Sequence, residues 1–182
     1  MSRTDARIRY TQGVLKQALL SFLQEKPINK ITVKEVCERA ELNRATFYAH
    51  YSDCFALLES IEEDLLEAFQ QSLKLVDSFD VTALIEAIYT MIEQQQEACR
   101  VLIFQNVCPN VLRRMISLAR SKSIAYWKQH LHRVTDAELE MLYTHLSNGL
   151  MHVVVEGYEK YSREEVVRFV NRIVRCSLSQ FQ

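Results

Sequence analysis

The sequence predicts an all-α protein with two parts, an N-terminal three-helix domain containing a helix-turn-helix and a C-terminal helical domain. Three observations predict this fold class. Only three glycines and two prolines occur in 182 residues, which favours long helices with few sharp turns. Apolar residues recur at the 3.6-residue helical period in segment after segment. Three Ser/Thr–x–x–Glu patterns precede such segments and indicate helix starts.

The composition is that of a soluble globular protein. Hydrophobic residues make up 48% and charged residues 25% of the chain, and no apolar run approaches the ~18 residues of a membrane span. The N-terminus lacks the apolar core of a signal peptide, so a cytoplasmic location is expected. Five widely spaced cysteines without a Cys-x-x-Cys pair indicate reduced thiols.

Charge is distributed unevenly along the chain. Residues 1–58 hold nine Lys/Arg and six Asp/Glu, a net charge of +3, whereas residues 59–182 hold thirteen and seventeen, a net charge of −4. A basic N-terminal part on an acidic body favours a polyanionic partner at that end.

The first helix of the predicted helix-turn-helix begins after Thr32. Thr32 and Glu35 form a capping box, in which each side chain accepts a hydrogen bond from the other residue's backbone amide. The apolar residues that follow fall at i, i+3, i+4 and i+7 and therefore share one face of a helix. These residues are Val33, Val36, Cys37 and Ala40.

A second short helix is predicted from the N-cap Asn43 to about His50. Phe47 and Tyr51, at i and i+4, are expected to pack inward. Outward positions are then Arg44, Ala45, Tyr48 and Ala49. An exposed arginine can donate two hydrogen bonds to the edge of a guanine base, and a small alanine beside it allows the helix to enter the major groove deeply. A tyrosine hydroxyl can donate to a phosphate. The pattern therefore predicts binding of double-stranded DNA.

These residues resemble the DNA-binding domain of the tetracycline repressor (TetR) family of bacterial regulators. The similarity covers roughly residues 8–60 and lies mainly in the cluster Thr46, Phe47, Tyr48, His50 and Tyr51, which matches a T-Y-x-H-F-like pattern closing the recognition helix. The resemblance implies phosphate contacts for Thr32, Tyr48 and His50. The candidate DNA-contacting residues are Thr32, Asn43, Arg44, Ala45, Thr46, Tyr48 and His50.

Two positions depart from the family pattern. Glu41 stands where the turn usually has glycine, so strain is expected if this residue adopts a positive φ. Cys54 stands where a phosphate-binding lysine is common. Both departures slightly favour an alternative function, a co-regulator that keeps the fold and binds a partner protein instead of DNA. The combination of Arg44, Thr46, Tyr48 and His50 argues against this alternative, because a protein interface does not require it.

The domain boundary is placed at residue 52, with a DNA-binding domain at 1–52 and an effector-binding and dimerisation domain at 53–182. A long connector helix is expected from about residue 54 to 75, after a cap at Ser52 or Asp53. Further helices are predicted, with caps at Asp80, Asn110, Thr135 and Ser162 and a short uncapped helix between them. Their approximate ranges are 81–95, 98–105, 110–131, 136–160 and 163–181.

The last two predicted helices are apolar on more than one side. Met151, Val155 and Tyr158 lie opposite the main apolar face of the first of these helices. A chain of this size cannot cover both sides by itself, so a homodimer through the last two helices is expected.

An effector pocket is predicted in the C-terminal domain, because His145, Asn148, Gly149, His152 and Glu156 form a polar stripe on one face of a helix that is otherwise apolar. The alternative is that both histidines are satisfied within the core or at the dimer interface. The candidate ligand-binding residues are Phe69, Tyr89, Phe104, Tyr126, Trp127, His145, Asn148 and His152.

No pattern indicates an enzyme, a cofactor or a metal site. The sequence lacks an H-E-x-x-H motif, a glycine-rich phosphate loop and a nucleophile elbow. His145 and His152 share a helix face but lie two turns, ~10.5 Å, apart, which is too far to share one metal. The resemblance implies instead a transcriptional repressor that a small-molecule effector releases from a palindromic operator.

Overall fold

The computed structural model describes residues 3–75, 80–105 and 107–181, and within these ranges the chain forms helices and no strand. The predicted all-α class is confirmed. The α-helices of the described ranges are α1 (Arg3–Leu23), α2 (Val33–Arg39), α3 (Arg44–Tyr48), α4 (Cys54–Ser72), α5 (Thr82–Gln94), α6 (Gln96–Cys99), α7 (Pro109–His130), α8 (Asp136–Gly157) and α9 (Arg163–Leu178). A π-helical segment, Arg100–Phe104, follows α6.

The chain divides into two compact units. The first comprises Met1–Leu65 and Glu97–Val107, and the second comprises Leu66–Gln96 and Cys108–Gln182. The division falls inside α4, so one continuous helix contributes residues to both units.

The first unit is built around α1, α2 and α3. α2 packs against both α1 and α3, and the side chains that meet in this core are fully buried. They include Leu15, Leu19, Val36, Phe47 and Leu57. The helical periodicity of the sequence produces this core, because these residues share the inward faces of their helices.

In the second unit, α7 packs along α8, and α9 packs against both α5 and α8. Ile85, Val111, Met115 and Val154 are fully buried in its core. Asn171 of α9 ties down the start of α5, because its Oδ1 accepts from the Val81 amide at 2.9 Å and its Nδ2 donates to Thr82 Oγ1 at 2.7 Å.

The three predicted capping boxes are all present. Thr32, Thr135 and Ser162 each accept a hydrogen bond from the backbone of the glutamate three residues later, and each glutamate accepts one in return. Asp53 Oδ1 accepts from the Ala56 amide at 2.8 Å and so satisfies the start of α4.

Two predicted helix starts differ from the structure. The predicted cap Asn110 lies inside α7, because Pro109 already occupies the first turn and Cys108 is the N-cap. A proline needs no amide partner at that position, so the N-cap lies two residues earlier than predicted. At α5 the N-cap is Val81, while Asp80 Oδ1 accepts from the Thr82 amide at 2.9 Å.

Candidate functional site

The outer face of α3 is the candidate DNA-contacting surface. Asn43 caps the helix through Oδ1, which accepts from the Thr46 amide at 2.7 Å. On the inner side, the Phe47 ring is fully buried and meets Tyr51 at a centroid distance of 6.0 Å. α3 is only five residues long, and a helix of this length is not stable by itself. Its stability therefore depends on the Asn43 cap and on the burial of Phe47.

The opposite face of α3 is exposed. Arg44, Ala45 and Ala49 are exposed, and Tyr48 keeps 57% of its surface accessible. The Tyr48 ring packs edge-on against Phe47 at 5.6 Å, which holds the hydroxyl end outward. This face of α3 therefore presents a guanidinium, a phenol and two small side chains, and the buried Phe47 holds the helix in place.

The other predicted DNA-contacting residues flank this face. Thr32, at the start of α2, and Asn43 are exposed, whereas Thr46 and His50 are half-buried. Thr46 Oγ1 donates to Asn43 Oδ1 at 3.0 Å, so both side chains are engaged in capping α3. All seven predicted residues belong to the first unit.

The turn between α2 and α3 contains a strained residue. Glu41 has a φ of 54°, the positive value expected where the family usually has glycine. The Leu42 amide donates to Cys37 O at 2.9 Å and the Glu41 amide to Glu38 O at 3.3 Å. This Schellman pattern places Glu41 in the left-handed region, at a cost of about 1 kcal/mol for a residue with a Cβ.

Cation contacts secure α2 to the end of α1, and the sequence pattern did not reveal them. The Arg39 guanidinium lies 3.8 Å from the centroid of the Phe22 ring, and Arg39 Nη1 donates to Ser21 Oγ at 2.8 Å. Lys26 Nζ pairs with Glu35 Oε1 at 2.6 Å. Hydrogen bonds from Lys26 and Thr32 lower the pKa of the Glu35 carboxyl to about 2.

Cys54 lies in the core, with 4% of its surface accessible. Burial raises the pKa of its thiol to about 11, so the side chain stays neutral. Position 54 therefore carries an interior cysteine here, not a surface residue that could meet a phosphate.

A cavity of about 80 Å³ opens in the second unit. Phe69 and Trp127, two of the predicted ligand-binding residues, line it together with Tyr143, Leu146 and Met151.

The remaining predicted ligand residues do not line this cavity. His145, Asn148 and His152 are exposed on the outer face of α8, where Asn148 Nδ2 donates to Thr144 O at 2.7 Å and His152 Nδ1 lies 2.8 Å from Asn148 O. This polar stripe is therefore not part of the wall of this cavity, and a role for it in ligand binding stays a prediction.

The other three aromatic candidates are also placed elsewhere. Tyr126 stacks on His130 at 4.1 Å, and Phe104 belongs to the first unit. Tyr89 is buried beneath the Arg163 guanidinium at 5.0 Å, and its hydroxyl has no hydrogen-bond partner among the described residues. The eight predicted ligand residues thus do not form one site.

α8 and α9 carry an exposed apolar face. Phe169 and Ile173 keep 44% and 40% of their surfaces accessible. Two grooves run along this face, one of about 550 Å³ bordered by His152, Tyr161 and Phe169, and one of about 200 Å³ bordered by His145 and Ile173.

The described part of the chain contains neither a membrane-spanning helix nor a cluster of metal-binding side chains. No helix there has the length and apolar character needed to cross a membrane. No three His, Cys, Asp or Glu side chains come together in these ranges to hold a metal ion.

Comparison of the sequence with known proteins gave a short match. No protein-family model matches the chain. A relative from Bacillus subtilis (strain 168), the uncharacterized HTH-type transcriptional regulator YxbF, is 37% identical over 62 residues, which are 34% of this chain. The chain spans 16% of the length of that relative.

Solved structures share the fold over nearly the whole chain. A TetR transcriptional regulator from Streptococcus agalactiae 2603V matches with a TM-score of 0.67 and 24% identity, covering 94% of this chain and 97% of that one. The dihydroxyacetone kinase operon activator DhaS matches with a TM-score of 0.58 and 14% identity, covering 94% and 98%. The chain therefore has the helical fold of TetR-family regulators, and each of these proteins is named as a regulator or activator.

Proposed function

We propose that the protein is a DNA-binding transcriptional regulator that reads an operator with α3. The observation that carries this proposal is the two-sided construction of α3, a capped helix whose aromatic side is locked in the core while Arg44 and Tyr48 face outward. A short helix presented in this way fits the major groove of duplex DNA.

Each exposed residue has a distinct role in the proposed complex. Arg44 donates to a guanine edge and sets specificity, while Ala45 allows close approach of the helix. Tyr48 contacts a phosphate, as do Thr32 and His50 by their resemblance to the family pattern. Asn43 and Thr46 hold the start of α3 in position and lie close to the same groove.

A homodimer through α8 and α9 is part of the proposal. The exposed Phe169 and Ile173 support it, because an apolar helix face gains stability when a second copy covers it. The operator is then a near-palindrome with half-site centres one helical turn, about 34–36 Å, or a multiple of that distance apart.

Regulation by a small-molecule effector completes the proposal. Phe69 on α4 lines the cavity of the second unit, and the same helix also supplies residues to the first unit. An effector that fits better when α4 is tilted shifts the population away from the DNA-binding geometry, so the expected mode is repression relieved by ligand. DhaS is named as an activator, so a reporter gene controlled by the operator is needed to establish whether this protein represses or activates transcription.

The alternative of a co-regulator that binds protein instead of DNA receives no support from the two departures. Cys54 is buried, so it does not change the outer surface. Glu41 adopts the positive φ that the turn requires, so the turn is retained despite the missing glycine.

The experiment is selection of bound duplexes from a random DNA library, followed by affinity measurements on the best site. Arg44→Ala should weaken binding by about 1–3 kcal/mol and relax one base position. Tyr48→Phe should weaken binding to all sequences about equally, because a phosphate contact carries no sequence information. Arg113→Ala removes an exposed arginine from α7 and serves as the charge-matched control.

If the wild-type protein binds its best selected site no better than random duplex, the proposed function is wrong. Equal losses for Arg44→Ala and Arg113→Ala would remove α3 from the interface.

A further inference from the structure

The cavity of the second unit is apolar almost throughout. Twelve of its fifteen lining residues are apolar, and the described residues contribute no charged side chain to its wall. An ionised group that entered this space would lose part of its hydration and find no opposite charge, which disfavours ionic ligands.

Two of the three polar residues in the wall already donate their hydroxyl hydrogens to backbone carbonyls. The Tyr143 hydroxyl donates to Ile116 O at 2.5 Å, and Ser147 Oγ donates to Tyr143 O at 2.6 Å. Burial raises the pKa of the Tyr143 phenol to about 12, so this group also remains uncharged.

Ser123 is the third polar residue. It lies half-buried on α7, and its hydroxyl makes no hydrogen bond to any residue that the structure describes. Lys122, the next residue, does not line the cavity, because its ammonium donates to Leu73 O at 2.5 Å. Ser123 therefore offers one uncharged hydrogen-bonding group to a ligand.

The volume limits the part of that ligand that the cavity can enclose. At about 80 Å³ the cavity is roughly half the size of the ~150 Å³ apolar cavity that binds benzene. About three to five non-hydrogen atoms fit without rearrangement. Met151 in the wall is flexible and allows a modest expansion.

We infer that the effector is a small, uncharged, mainly apolar molecule with one hydrogen-bonding group, which lies against Trp127 and meets Ser123. The regulatory meaning of this inference rests on the proposed function, because the ligand controls transcription only if the protein binds an operator. The chemical class of the ligand rests on the cavity alone.

The test uses four probes with chains of the same length. Butan-1-ol is uncharged and has a hydroxyl, 1-chlorobutane is uncharged and has none, and butanoate and butylammonium carry opposite charges. Trp127 is the single tryptophan of the chain and lines the cavity, so its fluorescence reports occupancy directly. Release of the selected operator is measured in parallel.

Butan-1-ol should change the Trp127 emission in a saturable way, with an affinity at least about tenfold above that of either charged probe. Ser123→Ala should lower the affinity for butan-1-ol by about two- to tenfold, which is the range for one hydrogen bond, and leave the affinity for 1-chlorobutane unchanged. Ala119→Leu fills part of the cavity and should abolish binding of both uncharged probes. Ala119→Val is the milder variant if the leucine prevents folding.

Charged probes that bind as tightly as butan-1-ol would overturn the inference. A Trp127 fluorescence change that does not saturate, or one that is unchanged in Ala119→Val, would also overturn it. Specific operator binding without any Trp127 response would contradict the ligand class and leave the proposed function standing. A saturable, selective Trp127 response without specific operator binding would support the ligand class and contradict the proposed function.

Discussion

The outward face of α3 and the exposed apolar strip of α9 are opposite in character. α3 buries its aromatic Phe47 and exposes Arg44 and the hydroxyl end of Tyr48, whereas α9 exposes Phe169 and Ile173. A polar, hydrogen-bonding face is suited to a hydrated polyanion, and an apolar face is suited to a protein surface that excludes water. The contrast indicates that exposure alone does not mark a binding site, and that the chemistry of the exposed groups selects the kind of partner.

The largest expected effect tests the inner side of α3. Phe47→Ala should destabilise the first unit by about 3–5 kcal/mol, because it removes a fully buried ring and leaves a cavity. Phe55→Ala is the matched control, since Phe55 lies on α4 with 57% of its surface accessible. Urea unfolding measures both variants. Similar losses for the two would mean that Phe47 does not anchor α3.

The second prediction tests the apolar face of α9. Phe169→Glu combined with Ile173→Glu should cost about 3 kcal/mol or more of the dimerisation free energy of the proposed dimer, because each protomer would bury two charges without partners. Light scattering across a dilution series gives the oligomeric state. These exposed residues are better targets than Val170, which is buried and whose replacement by glutamate would unfold the chain.

Leu118→Glu on α7 is the control for this experiment, as it places a charge on a partly exposed apolar residue outside the last two helices. It should leave the dimer intact. A dimer that survives the α9 double substitution would show that the contrast between the two helix faces does not mark the partner surface.

The smallest effect concerns the turn that orients α3. Glu41→Gly should stabilise the protein by roughly 0.5 kcal/mol. Glycine relieves the strain at a φ of 54°, and the greater conformational freedom of glycine in the unfolded chain offsets part of this gain. Glu38→Gly, inside α2, should instead destabilise it by about 1 kcal/mol. Thermal unfolding compares the two. Destabilisation by both substitutions would mean that Glu41 is not strained.

Local features were predictable from the sequence. Thr32 with Glu35 and Asn43 before α3 act on backbone amides within three residues, so their patterns identify helix starts directly. The buried Phe47 and the exposed Arg44 follow from the helical period in the same way. The strain at Glu41 was predictable once the family resemblance indicated a turn that favours glycine.

Non-local features were not predictable from one sequence. The cavity draws its wall from residues as distant in the chain as Phe69 and Val174, and helical periodicity does not reveal which faces meet. His145 and His152 were interpreted as pocket residues because they interrupt an apolar pattern, yet the same interruption marks the outer face of α8. The contact of Arg39 with Phe22 likewise joins residues that no short motif connects.

The construction of α3 has a consequence for how such a protein diversifies. Its stability depends on Asn43 and Phe47, while Arg44, Ala45 and Ala49 are exposed and contribute little to the core. Substitutions at these three positions should therefore change the free energy of unfolding only slightly. If the proposed function is right, a duplicated gene can acquire specificity for a new operator through substitutions at these three positions, while the fold is inherited unchanged.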